Sequence, residues 1–257
     1  LNGSYQSFFP TGQKQTIGYY KNNRPTGTWT YFYFNGNPKM KGEMLDGEPS
    51  GSWTYYYENG NISMTGVINE GERFGSWVFY YENGHKKSEG EFFAGKKTGN
   101  WKYYHEDESL KAQARYNDSK ALFQELFPSG STKAMGYKKE EKSDSLWTYF
   151  YENGAKMGEG FFENGSRTGK WIYYHQNGKI ASEGTYTNGL KNGYWKYYDD
   201  NGVLSSEGTV LDDKKEGYWK LYFSGGGLKG EGEFDRGTGR FNEYYESGVL
   251  KQTGIIQ

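Results

Sequence analysis

The sequence predicts an all-β protein, an elongated single-sheet antiparallel meander of about eleven 24-residue β-hairpin repeats. Two observations carry that prediction. All eight tryptophans fall on one ruler, Trp29, Trp53, Trp77 and Trp101, then Trp147, Trp171, Trp195 and Trp219, with a step of 24 residues inside each group. Tyr5 lies 24 residues before Trp29, Phe123 splits the 46-residue gap from Trp101 to Trp147 into 22 and 24, and Phe241 follows Trp219 by 22, which makes eleven anchors. Glycine keeps the same ruler, with 35 of 39 falling at four fixed offsets from an anchor. Repetition at a fixed period marks a repeat architecture in which each unit packs only on its neighbours.

Within each repeat the anchor is position 0. The first strand spans about 0 to +4 and is rich in aromatic and β-branched residues, as in Trp77-Val78-Phe79-Tyr80-Tyr81. At +6 and +7 comes Asn-Gly, in Asn35-Gly36, Asn59-Gly60, Asn83-Gly84, Asn153-Gly154, Asn177-Gly178 and Asn201-Gly202. Between two strand-like runs this pair predicts a two-residue type I′ turn, because both residues tolerate positive φ. A second strand follows from about +8 to +15, as in Lys86-Lys87-Ser88-Glu89-Gly90-Glu91-Phe92, and then a looser turn such as Glu163-Asn164-Gly165-Ser166-Arg167-Thr168-Gly169. Some 22 strands at about 4.8 Å spacing would make a ribbon on the order of 100 Å long.

A two-residue loop sets position 0 opposite +13, +2 opposite +11, and +4 opposite +9. Each tryptophan then faces a glycine, and the ring is expected to cover that bare backbone: Trp53 over Gly66, Trp77 over Gly90, Trp171 over Gly184, Trp195 over Gly208. Position +15 is mostly apolar and shares the tryptophan face. The opposite face carries +3, aromatic in ten of eleven units, among Lys and Glu at +10 and +12.

The whole of residues 1–257 is one array, regular over 1–108, irregular over 109–146 and regular again over 147–257. Between Trp101 and Trp147, where the array is least regular, His105-Glu106-Asp107-Glu108-Ser109 replaces the hairpin turn, Ala114 replaces the +13 glycine, and Lys138 to Asp144 are expected to form a charged loop. Drift within the array accounts for this; a kink or docking point is the functional alternative.

Composition narrows the function. Leu, Ile, Val and Phe make up 40 of 257 residues, so the core must be thin and aromatic, built from the 26 Tyr and 8 Trp. A net charge of −1 with interleaved signs offers no basic stripe for nucleic acid. There is no Cys, hence no thiolate nucleophile and no sulfur-ligated metal. No apolar run has the roughly 18 residues of a membrane span, so any membrane association is expected through a partner. The chain opens on Leu1-Asn2-Gly3, in mid-repeat and without Met, which leaves a preceding leader undecided. His105 and His175 occupy the +4 slot as rings in place of Tyr or Phe, and with His85 they show no metal-ligand spacing. No nucleophile elbow, phosphate loop or dinucleotide fingerprint is present. The expectation is therefore a protein without catalytic residues, cofactor or metal.

The pattern Gly-x-Trp-x-Tyr-Tyr-x-x-Asn-Gly-x-x-x-x-x-Gly, recurring from Gly3 to Gly254, resembles the variant MORN repeat of the bacterial YwqK-like family. The resemblance implies stacked β-hairpins and no catalytic residues. Members of this family are commonly labelled antitoxins, and long arrays of this type look like envelope proteins of Bacteroidota that accompany the gliding and type 9 secretion machinery. The Tyr-, Asn- and Lys-rich composition agrees with such a source. The expectation is a scaffold or adaptor in a multi-subunit assembly, in the periplasm or associated with the outer membrane. A cytoplasmic antitoxin is one alternative. A glycan-binding module is another, since Trp-x-Tyr-Tyr-x-x-x-Gly is also similar to choline- and glucan-binding cell-wall repeats.

The candidate partner-binding residues are the +3 rings Phe32, Tyr56, Tyr80, Tyr104, Phe150, Tyr174, Tyr198 and Tyr222, which either simply cover the second face of the sheet or form a contact surface. The terminal strands, Tyr5 to Phe9 and Gly254 to Gln257, offer sheet edges to a partner strand.

Overall fold

The computed structural model describes residues 1–118 and 120–256; Ser119, in the irregular stretch, and Gln257, in the C-terminal edge candidate, lie outside the described residues. Twenty-three strands among the described residues belong to a single antiparallel sheet, and each pairing joins strands adjacent in the chain. Two of the 23, Leu190–Lys191 and Gly193–Tyr198, are parts of one strand interrupted at Asn192. The chain divides into two compact units, Leu1–Phe123 and Gln124–Gln257.

In the first unit Trp53, Trp77 and Trp101 form the core with Ile68, Phe92, Ala114 and Ala121. In the second, Trp171, Trp195 and Trp219 do so with Tyr186, Val210 and Phe234. As expected, +15 residues pack beside the tryptophans, and Trp171 and Trp195 are 0 % exposed although the sheet is a single layer. Rings at +2 and +15 supply the missing second layer: Phe92 stands edge-on to Trp101 at 5.1 Å and Tyr186 edge-on to Trp195 at 5.4 Å.

The expected pairing of 0 with +13 and +2 with +11 is observed, as in Trp53↔Gly66 and Tyr55↔Met64. Two details differ. The Asn-Gly turn is not type I′. Gly60 N–H donates to the Tyr57 carbonyl at 3.0 Å and Tyr57 N–H to the Asn61 carbonyl at 2.8 Å, which makes a three-residue loop. Only Gly60, at φ +91°, is left-handed, so this is a type I turn closed by a glycine bulge, and Tyr56 rather than Tyr57 pairs near the loop, opposite Ile62. The tight type I′ turns lie instead between repeats, where Asp46 and Gly47 have φ of 51° and 99° and Leu45 pairs with Glu48 around them. Asn at +6 is there for its amide: Asn59 Oδ1 accepts from Asn61 N–H at 2.9 Å, and its Nδ2 donates to the Glu82 carbonyl of the next repeat at 3.0 Å.

The second difference concerns the tryptophan. Trp53 pairs with Gly66 but its ring lies over Gly42, in the preceding repeat, where an added Cβ would sit 2.1 Å from the indole. Gly51 and Ser52 form a two-residue bulge between the pairs Gly42↔Trp53 and Glu43↔Ser50, and this frees the Glu43 carbonyl from the ladder. Trp53 Nε1–H takes that carbonyl at 3.1 Å, which draws the ring backwards. The same bond, from each indole to the carbonyl ten residues earlier, is made by Trp77, Trp101, Trp147, Trp171, Trp195 and Trp219 at 2.7–3.2 Å. Trp29 is the exception, its Nε1 having no acceptor among the described residues.

This bond explains the length of the step. Phe241 follows its predecessor by 22 residues rather than 24, and the pairing from Gly230↔Glu243 to Asp235↔Thr238 runs without a shift. With no bulge there is no freed carbonyl, and the anchor is a ring with no N–H to donate.

Candidate functional site

The face opposite the tryptophans is built by alternation along each strand. In the first unit it carries the predicted Phe32, Tyr56, Tyr80 and Tyr104, and in the second Phe150, Tyr174, Tyr198 and Tyr222, all half-buried. The backbone of this column is fixed by the preceding repeat: Tyr33, Tyr57, Tyr81 and Tyr151 donate their hydroxyls to the carbonyls of Tyr56, Tyr80, Tyr104 and Tyr174 at 2.7–2.8 Å. His175 stands in for tyrosine here, its Nε2 lying 3.0 Å from the Tyr198 carbonyl.

The side chains of the column are of two kinds. Tyr104, Tyr174, Tyr198 and Tyr222 donate to the carboxylates of Glu89, Glu159, Glu183 and Glu207 at 2.5–3.1 Å. Burial, and next the hydrogen bond to the carboxylate, pushes the Tyr104, Tyr174 and Tyr222 hydroxyls up to about 12. The carboxylates move the other way. Glu89 is lowered first by the Tyr104 hydroxyl, and Glu159 and Glu183 first by hydrogen bonds from Lys156 and Lys170. Lys86, Lys156 and Lys170 complete these pairs at 2.9–3.0 Å. Phe32 and Phe150 carry no hydroxyl, while Lys41 and Thr65 occupy the glutamate's place beside Tyr56 and Tyr80.

Two features of the molecule escaped the sequence reading. One is a cation four residues before the anchor on the tryptophan face. Arg73, Lys97, Arg167, Lys191 and Lys215 lie 4.2–4.9 Å over the rings of Trp77, Trp101, Trp171, Trp195 and Trp219. The constant offset was the available signal. The other is an exposed apolar cluster on the +3 face of each unit. In the first, Val67 pairs with Phe74, whose ring lies 5.8 Å from Phe93, itself 64 % exposed. In the second, Leu146 pairs with Phe161 beside the exposed Tyr137 on the neighbouring strand.

Among the described residues no three His, Asp or Glu side chains converge to hold a metal, and no helix is long and apolar enough to cross a membrane.

The sequence profile of the MORN repeat variant matches eight segments, 1–22, 25–46, 49–66, 75–93, 97–118, 144–164, 167–188 and 191–212, together more than half of the chain. The chain belongs to the MORN repeat variant family. Repeats of this kind mark a repeat-based binding scaffold. No curated protein matches the chain. Among solved structures it is similar to the Photorhabdus luminescens Tc holotoxin pore, at 12% identity and a TM-score of 0.21 over 95% of this chain and 16% of that one. A TcdB2–TccC3–Cdc42 crystal structure is similar at 12% identity and a TM-score of 0.20, over 97% and 16%. The chain therefore spans about one sixth of those chains, and likeness at that level says nothing of function.

Proposed function

We propose that this MORN repeat protein is a non-enzymatic scaffold that holds a protein partner on the +3 face. The observation that supports the reading most directly is the pairing, in each unit, of a row of half-buried rings with an apolar cluster whose side chains are 38–64 % exposed. Glutamates hold the hydroxyls of Tyr104, Tyr174, Tyr198 and Tyr222, so at these rings a partner meets a fixed surface and costs little side-chain entropy of the scaffold. Exposed Phe74 and Phe93, or Leu146 and Phe161, then supply the apolar anchors that dominate interface energetics. The tryptophan face is the poorer candidate, since its rings are already covered by one another and by cations.

The YwqK-like resemblance supports placing this scaffold in a bacterial envelope assembly, periplasmic or associated with the outer membrane, with the partner another subunit. Affinity purification of tagged protein from its native host, with mass spectrometry of what accompanies it, tests the proposal. A specific partner is expected with wild type. It should be lost in Phe74→Lys/Phe93→Lys or in Leu146→Lys/Phe161→Lys, and retained in Lys97→Gln on the other face. A clean monomer, or a partner indifferent to both double variants, would overturn it. Sedimentation with insoluble cell wall instead of protein would favour the glycan alternative.

A further inference from the structure

The tryptophan face of the second unit has a gap in its row of rings. Position +15 is aromatic in Phe92, Phe162, Tyr186 and Phe234, but is Val210 after Trp195. The next +2 position, filled by Phe79, Tyr103, Tyr149, Tyr173 and Tyr197 elsewhere, is Leu221. Ile68 is also aliphatic at +15, yet it keeps a ring on either side in Tyr55 and Phe79. Only at Val210 and Leu221 are neighbouring rings both missing, and there the surface opens into a pocket of about 300 Å³. Its floor is Trp219, Val210, Leu221 and Ser206, and its rim is Tyr197, Lys191, Lys215 and Asp213.

Lys97, over Trp101, is held by two hydroxyls, Tyr103 at 3.2 Å and Tyr116 at 3.3 Å. Lys191 keeps one, Tyr197 at 3.2 Å. Around Lys215 the equivalent positions are Leu221 and Phe234, so its ammonium lies 4.8 Å over Trp219 and 5.1 Å over Phe234 with no hydrogen-bond acceptor among the described residues. Burial lowers its pKa, the response of an ammonium that lacks a compensating partner. Asp213 is turned to its own chain, accepting the Lys191 backbone N–H at 2.9 Å. Two ammonium groups against one carboxylate leave the rim positive.

We propose that this pocket binds a small aromatic carboxylate, its ring filling the gap between Val210, Leu221 and Trp219 and its acid group accepting from Lys215. A planar ring restores the edge-on packing that Phe92 and Tyr186 give their tryptophans, and the carboxylate supplies the acceptor that the missing tyrosine hydroxyls supply elsewhere. The volume is at the small end of ligand sites, which suits one ring and one acid group. A free aromatic acid and the C-terminal phenylalanine of a peptide share this chemistry.

The test is a titration of the full ¹⁵N-labelled chain with phenylacetate, followed through the tryptophan indole N–H resonances. A saturable shift of the Trp219 resonance is expected, with neutral phenylacetamide and non-planar cyclohexylacetate binding more weakly. Lys215→Met should weaken phenylacetate by about tenfold. Val210→Phe, which writes into this repeat the residue its siblings carry, should abolish the shift while keeping or raising the melting temperature. A parallel titration with acetyl-Gly-Phe bearing a free carboxylate separates the two sources, the tighter probe identifying the ligand class. Absence of a saturable shift with either acid overturns the proposal. So does a shift that persists in Val210→Phe, or equal binding of phenylacetamide.

Discussion

At the scale of the residue, the decisive pair is a tryptophan and the glycine under it. A Cβ built on Gly160 lies 2.2 Å from Trp171, whereas Gly254, at the same +13 position of the last repeat, has nothing within 4 Å. Gly160→Ala should therefore cost about 3 kcal/mol, as overpacking a rigid core does, while Gly254→Ala is neutral or slightly stabilising; urea denaturation of each variant reads the difference. The tyrosines of the outer column make a different prediction. Tyr104, Tyr174 and Tyr222 are raised to about 12 from an ordinary value of 10.0. A group whose folded pKa is raised holds its proton more tightly in the native state, so its contribution to stability is complete below about pH 10 and is lost as pH climbs towards 12. Urea midpoints measured from pH 9 to 12 should fall, and they should fall less in the Tyr104→Phe/Tyr174→Phe/Tyr222→Phe variant. An unchanged slope would mean these hydroxyls do not feel their glutamates.

At the scale of the element, the hairpin pattern, the pairing of anchor with +13 glycine and the outer aromatic column were legible, because they follow from spacing and alternation alone. What was not legible depends on where the extra residues of a bulge go. Asn-Gly occurs both within hairpins, as Asn153-Gly154, and between them, as Asn164-Gly165, and only backbone geometry assigns the first to a glycine bulge and the second to type I′. The direction of the indole was hidden for the same reason: Gly51-Ser52 reads as turn punctuation until its bulge is seen to free the Glu43 carbonyl. The usable clue was the coincidence of a 22-residue step with phenylalanine at Phe123 and Phe241. If the indole bond has this role, Trp171→Phe removes ring area and strands the Phe161 carbonyl, whereas Trp29→Phe removes ring area alone. The first should cost more than the second by about 1 kcal/mol, measured as a difference in unfolding free energy.

At the scale of the whole molecule, stability should be graded rather than uniform, because repeats are held by their neighbours. The strand Leu250–Ile256 is exposed along its whole length and, among the described residues, pairs with Thr238–Tyr244. Amide hydrogen exchange should be fastest there and slowest around Trp171 and Trp195, where burial is greatest. Equal protection along the chain would contradict this.

Finally, each indole bond described reaches ten residues back, and each tyrosine bond to the column reaches 23 residues forward. Neither refers to an absolute place in the chain, so the array has no fixed beginning or end written into it. Removing residues 51–74 leaves Trp77 meeting the backbone of the repeat before it just as Trp53 did, with glycine beneath and a bulge carbonyl to receive its N–H. Length can thus change by whole repeats without redesigning these two backbone contacts. The 22-residue steps to Phe123 and Phe241, where the anchor carries no N–H, interrupt that freedom.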